Sequence, residues 1–259
     1  MSARSAAGIE VRRLRKQFGG LSALEEVSLS IAPGEFVSVL GPSGCGKSTL
    51  LRCIAGLERP SSGQVTVDDT PVNAPPAGLG MVFQRDALLE WRTVADNLLL
   101  PVDFRRGDRA AARRRAAQLL AMTALEGFEQ SYPAQLSGGM RQRVALCRAL
   151  VDDPVLLLMD EPFGALDALT RDQMNIELQR LWLAERKTVL FVTHSITEAI
   201  FLGDRVVVFT PRPGRIAEVL DIALPRPRRL AVRGGGEFIA YASRVRGLFE
   251  DMGLLREEA

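Results

Sequence analysis

Nine consecutive residues, Gly41-Pro42-Ser43-Gly44-Cys45-Gly46-Lys47-Ser48-Thr49, combine three glycines, one lysine and three hydroxyls. Glycines at this spacing let successive backbone N–H groups turn inward around an anion. A helix beginning at the lysine would aim its positive end at the same place. The pattern is that of a phosphate-binding loop for ATP or GTP: Lys47 would reach the β- and γ-phosphates, and Ser48 would offer its hydroxyl to Mg²⁺. A second chemical group follows an apolar run, residues 155–159, which ends in Asp160-Glu161. Asp160 at such a strand end could hold Mg²⁺ through water, and Glu161 is placed to polarise an attacking water. General-base assistance of that kind is worth about 10²–10⁴-fold in rate. A third group is Ser137-Gly138-Gly139 before a helical pattern. It makes a second anion cradle from backbone N–H groups and a hydroxyl, although Ser137 as a simple helix cap would also explain it. One nucleotide needs only one cradle, so the second calls for a role.

Around these groups, short apolar strands alternate with helical patterns. Strands are expected at residues 27–31, 36–40, 64–67, 80–83, 155–159, 188–193 and 205–209, and helices at 47–57 and 169–185. This alternation predicts an α/β fold, a mostly parallel sheet with helices on both faces that delivers its strand ends to one ligand crevice. Between about residues 85 and 151 the texture is helical, at 93–100, 108–125 and 139–151, which predicts an inserted helical subdomain. After Pro211 the chain becomes Pro- and Arg-rich, and a last helix is expected at 237–252.

Composition narrows the partners. A length of 259 residues with 47% hydrophobic content suits one large domain with a subdomain. Net charge of +2 gives no electrostatic case for nucleic acid or anionic lipid. Three cysteines, Cys45, Cys53 and Cys147, show no paired metal-ligand spacing and fit a reducing cytosol. Cys45 sits inside the phosphate loop, either as a thiol whose alkylation would block activity or as a small buried filler. No signal peptide is expected at the N-terminus, and no apolar run reaches the roughly 18 to 20 residues of a membrane span, so a membrane role would need a partner.

Taken together, GPSGCGKST, LLLMDEP and Leu136-Ser-Gly-Gly-Met-Arg-Gln-Arg143 closely resemble the Walker A, Walker B and signature motifs of the ATP-binding cassette (ABC) ATPases. The likeness covers about residues 9–220 and leaves 221–259 as a short extension without a separate regulatory domain. It implies a P-loop NTPase core with an N-terminal antiparallel β subdomain. By the same resemblance Phe18 would stack on adenine, and Gln84 would touch Mg²⁺ and sense a membrane partner. His194, the chain's only histidine, falls at the family's switch position, making Lys47, Glu161 and His194 the catalytic set, with Ser48, Gln84 and Asp160 at the metal. Ala165-Leu-Asp167 matches the D-loop, with Gly164 where many members have serine. The family pairs head to tail, so that Ser137, Gly138, Gly139 and Gln142 would face the partner's ATP.

The stretch Gln84 to Asn97, with its Trp-Arg-Thr-Val, and Leu202 to Arg215 resemble the nitrate/sulfonate/taurine importer ATPases. A homodimer at the cytoplasmic face of the inner membrane is therefore expected, driving a separate permease fed by a solute-binding protein. Residues 88–91 would receive a helix of that permease or pack internally. Exporters, lipid-extraction complexes and soluble non-transport ABC ATPases remain as alternatives.

Overall fold

The computed structural model of the chain describes residues 6–254. Its strands are β1 (Ile9–Phe18), β2 (Leu21–Ile31), β3 (Phe36–Leu40), β4 (Ser62–Val67), β5 (Thr70–Pro71), β6 (Leu79–Val82), β7 (Leu156–Asp160), β8 (Thr188–Thr193), β9 (Arg205–Phe209) and β10 (Ile216–Asp221). The helices are α1 (Lys47–Ile54), α2 (Val94–Arg105), α3 (Arg109–Met122), α4 (Gly138–Leu150), α5 (Ala168–Glu185), α6 (Ile196–Leu202) and α7 (Gly236–Asp251). Two sheets result. The N-terminal one is antiparallel in the order β2-β1-β4-β5, and the larger runs β10-β9-β3-β8-β7-β6. All neighbours in the larger sheet are parallel except β10, which returns antiparallel on β9. This is the α/β P-loop architecture expected from the sequence, with the N-terminal β subdomain.

Strand periodicity divides the core. Every residue of β3 and β8 is buried, as befits central parallel strands covered on both faces. Successive side chains point to opposite faces. Phe36 and Leu40 therefore join Phe191, Val206, Trp182 and the apolar faces of α2, α3 and α4 in one cluster. Val37 and Val39 join Leu190, Val192 and Leu50, Leu51 and Ile54 of α1 in another, which extends under the antiparallel sheet.

Several boundaries differ from expectation for local reasons. Helix α1 stops at Ile54, because Gly56 takes φ +68° and lies so close to the Ala74 carbonyl that a side chain there would collide. Helix α2 runs through Pro101 to Arg105, although an interior proline removes one hydrogen bond. Burial of Val102 beyond the proline anchors the last turn. Strand β10 and helix α6 lie in stretches not anticipated as regular structure.

The segment after β10 packs back onto the sheet and α5. Arg228, only 3% exposed, donates to the carbonyls of Ile200, Phe201 and Gly203 at 2.8, 3.0 and 2.8 Å. These are the orphan acceptors at the end of α6, where a cation is favoured. Burial lowers the Arg228 guanidinium to about 10. Arg226 lies 4.4 Å above the Trp182 ring, and α7 buries Phe238, Ala242 and Val245 against the same cluster. Among the described residues, no helix is long and apolar enough to cross a membrane.

Candidate nucleotide site

The glycine-rich loop leaves the carboxyl end of β3, the middle of the sheet, and enters α1 at Lys47. Gly46 caps that helix with φ 109° and no side-chain bond, so the first N–H groups are left for an anion. A Cβ at Gly46 would sit 2.6 Å from the Ala23 carbonyl oxygen, which fixes glycine there. Lys47 is 4% exposed; its Nζ donates to the carbonyls of Gly41 (2.8 Å) and Pro42 (2.9 Å) and lies 3.9 Å from Glu161 Oε1. Ser48 Oγ donates to Asp160 Oδ1 at 2.8 Å. Burial raises the Asp160 carboxyl above its usual range, partly offset by that hydroxyl, so a cation nearby would stabilise its charged form.

Glu161 follows directly at the end of β7, its N–H bonded to the Val192 carbonyl at 2.9 Å. Its φ of 45° is left-handed, a conformation that costs a non-glycine residue about 1–3 kcal/mol and clusters at functional sites. On its other side, His194 Nδ1 stands 3.2 Å from Glu161 Oε2. The flanking residues pin this histidine. Thr193 Oγ1 donates to Glu198 Oε2 at 2.5 Å, while Ser195 Oγ accepts the Glu198 N–H, tying both sides of His194 to the buried Glu198 of α6. The Glu198 carboxyl is itself raised by burial.

A cleft of about 400 Å³ gathers Ser43, Gly44, Gly46, Lys47, Ser48, Thr49, Gln84 and Glu161, with Phe18 at its rim. Phe18 is 46% exposed at the end of β1, with Lys16 Nζ 4.6 Å from its ring centroid. Ser48, Asp160 and Gln84 each carry an oxygen, the hard donor type that suits Mg²⁺, an ion that takes few protein ligands.

Ser137, Gly138, Gly139 and Gln142 do not line this cleft. They occupy the start of α4, where Ser137 Oγ accepts the Met140 N–H at 3.2 Å. Gly139 is required within the chain, since a Cβ there would lie 2.6 Å from Thr170 Cγ2. Gly138 is not, because a Cβ would meet nothing closer than Arg141 Nη2 at 3.9 Å. Gln142 is 6% exposed with its Nε2 unpaired, so its side chain is turned into the protein rather than presented outward.

Cys45 is 1% exposed, and burial raises its thiol, as it does those of Cys53 (to about 11) and Cys147 (to about 12). The geometry thus favours the space-filling alternative for Cys45 over the reactive one. Brief treatment of the native protein with a thiol alkylator is expected to leave ATPase activity unchanged. Intact-mass measurement should show labelling only after denaturant is added; rapid labelling of Cys45 with loss of activity would contradict this.

Several residues of the quoted motifs acquire contacts that the sequence alone does not indicate. The Asn97 side chain accepts the Leu89 N–H (2.8 Å) and donates to the carbonyls of Leu89, Arg92 and Thr93 (3.1, 3.1 and 3.0 Å), knitting the loop after Gln84. Arg141 Nε reaches Asp86 Oδ2 at 3.0 Å, which joins that loop to the second glycine motif. Arg212, from the turn between β9 and β10, also lines the cleft. Arg141 lies in the signature-like motif, and Asn97 and Arg212 in the importer-like stretches, but their spacing gives no sign of these contacts before the fold is known.

The ABC transporter family profile matches residues 24–164. The chain is 47% identical over 247 residues to an uncharacterized ABC transporter ATP-binding protein of Methanocaldococcus jannaschii, covering 94% of this chain and 91% of that one. It is 45% identical over 245 residues to the taurine import ATP-binding protein TauB of Yersinia pestis, covering 92% and 96%. Among solved structures, a dimeric bacterial ABC transporter cassette matches with a TM-score of 0.74 at 36% identity, over 84% of this chain and all of the other. A post-hydrolysis ATP-binding cassette dimer bound to ADP and Pi gives 0.73 at 35%, over the same shares of the two chains.

Proposed function

Because the chain belongs to the ABC transporter ATP-binding family, whose members hydrolyse ATP to power transport, we infer that two copies pair head to tail and drive solute import through a separate membrane permease. The TauB likeness favours the nitrate/sulfonate/taurine type, with a solute-binding protein feeding the permease. The cassette is taken as residues 9–220 with a helical subdomain at 85–151, and 221–259 as a short extension whose described part, up to residue 254, packs onto it. The protein then sits peripherally at the cytoplasmic face of the inner membrane. The observation that carries the catalytic reading is Glu161, held left-handed between Lys47 at 3.9 Å and His194 at 3.2 Å.

In this reading the glycine-loop N–H groups and Lys47 bind the polyphosphate, and Phe18 packs on the base. Ser48, Asp160 and Gln84 would hold Mg²⁺, which neutralises phosphate charge when bound. Glu161 takes the proton of the attacking water, and His194 orients the Glu161 carboxylate. The exposed Trp91, beside the Asn97-knitted loop, suits contact with a permease helix.

The head-to-tail pairing draws support from Gly138. The protomer leaves open space around it, and in a head-to-tail pair a side chain there would meet the partner's nucleotide. The reading is tested by mixing two variants. Lys47→Ala disables one half of each composite site and Gly138→Glu the other, so each alone should be inactive. Mixed dimers restore one intact site, and ATPase activity should return on mixing. Full activity of Gly138→Glu by itself would refute the shared site; co-purification with a membrane subunit tests the transport assignment.

A further inference from the structure

The turn at residues 210–215 closes on the phosphate loop from outside it. Gly214 N donates to the Ala23 carbonyl at 3.0 Å, and the Gly214 carbonyl accepts the Glu25 N–H at 3.0 Å. A Cβ at Gly214 would lie 2.0 Å from the Cys45 carbonyl oxygen, so only glycine lets these two backbones touch. The turn is braced internally: the Thr210 N–H pairs with the Arg215 carbonyl at 2.9 Å, and the Thr210 hydroxyl lies 3.3 Å from the Pro213 carbonyl. At its tip, Arg212 Nε and Nη2 both donate to the Gly44 carbonyl, at 3.0 and 2.9 Å.

This arginine lines the same cleft as Lys47, Ser48 and Glu161. A guanidinium carries five N–H donors, and the Gly44 carbonyl occupies two, leaving three. Among the described residues no carboxylate pairs with Arg212, whereas Arg215, three residues on, is 2.8 Å from Glu25. Lys47 is the only cationic side chain of the loop itself, and the carboxylates of Asp160 and Glu161 stand beside it. A polyphosphate entering there brings more negative charge than one lysine balances.

We propose that Arg212 is a nucleotide-binding residue contributed from outside the phosphate loop. One edge of its guanidinium fixes the Gly44–Cys45 peptide, and its free donors take a β- or γ-phosphate oxygen of the bound nucleotide. The inference rests on the ATP reading of the cleft given above.

Wild type, Arg212→Gln and Arg212→Lys, with Arg215→Gln as control, are titrated with ATP, ADP and AMP by calorimetry, and each variant is checked by thermal melting. Arg212→Gln is expected to weaken ATP binding by about tenfold, the scale of one charge-assisted contact. The loss should shrink for ADP and vanish for AMP. Arg212→Lys keeps the charge and should recover most of the affinity, and Arg215→Gln should match wild type. Equal losses for all three nucleotides would reduce Arg212 to a brace for the loop, and unchanged ATP affinity would remove it from the site; either result overturns the proposal. Absence of ATP binding by wild type would instead defeat the underlying nucleotide reading. An independent test uses the unmutated chain. ATP, but not adenosine, should protect Arg212 from phenylglyoxal in peptide mass spectrometry, and equal labelling with and without ATP would count against it.

Discussion

Glu161→Gln is expected to lower steady-state ATP hydrolysis by about 10²–10⁴-fold, the usual worth of a positioned general base. The substitution keeps side-chain size while removing the charge and exchanging one acceptor oxygen for an amide NH2, so ATP binding should survive. Two observations make the effect specific. Glu161 stands in a left-handed conformation that its neighbours must enforce, and it is flanked by Lys47 and His194 rather than by bulk solvent. With hydrolysis blocked, the proposed head-to-tail dimer should accumulate with ATP, because a nucleotide that binds the pair better than the single copy shifts the population toward the pair for as long as it stays intact. Phosphate release gives the rate, and size-exclusion chromatography with ATP gives the dimer. Undiminished turnover would take Glu161 out of the role of base.

The second large effect concerns binding. Lys47→Ala should weaken ATP affinity by about 10- to 100-fold, since a hydrogen bond to a charged group contributes about 1.5–3 kcal/mol. Lys47 Nζ is already held by the Gly41 and Pro42 carbonyls, so its charge is presented at little further cost in side-chain entropy. The same bonds mean that alanine also loosens the loop. Thermal melting without nucleotide separates the two effects, because loop damage lowers the melting temperature in the absence of ATP. Calorimetric titration reads the affinity itself. Wild-type affinity in a folded Lys47→Ala protein would contradict the phosphate contact.

Much of the site was legible because its residues sit at fixed offsets around strand ends. The β3–loop–α1 junction and the acidic pair after β7 follow from apolar runs of strand length that stop at glycine or carboxylate. Strand β10 was hidden for a physical reason. It is an edge strand with no fully buried residue, and its Ile-Ala-Glu-Val-Leu-Asp follows a Pro- and Arg-rich turn, so neither hydrophobicity nor flanks announce it. Helix α6 has seven residues, too few to establish a helical period. The contributions of Arg212 and Arg228 depend on contacts between separate segments, and that of Asn97 on a loop conformation that no periodic pattern encodes. Arg212 meets Gly44 across 168 positions, a distance along the chain at which no local pattern operates.

The order of strands in the larger sheet has a consequence for how the protein is made. Strand β3, which carries the phosphate loop, leaves the ribosome early, yet its neighbours β8 and β9, starting at residues 188 and 205, are translated far later. Gly41 at the base of the loop packs against Phe209, the last residue of β9. A nascent chain therefore carries an unassembled nucleotide pocket through most of its synthesis. Its closure waits on long-range pairing, the slow kind of folding step, during which its apolar central strand stands open to chaperones and to aggregation.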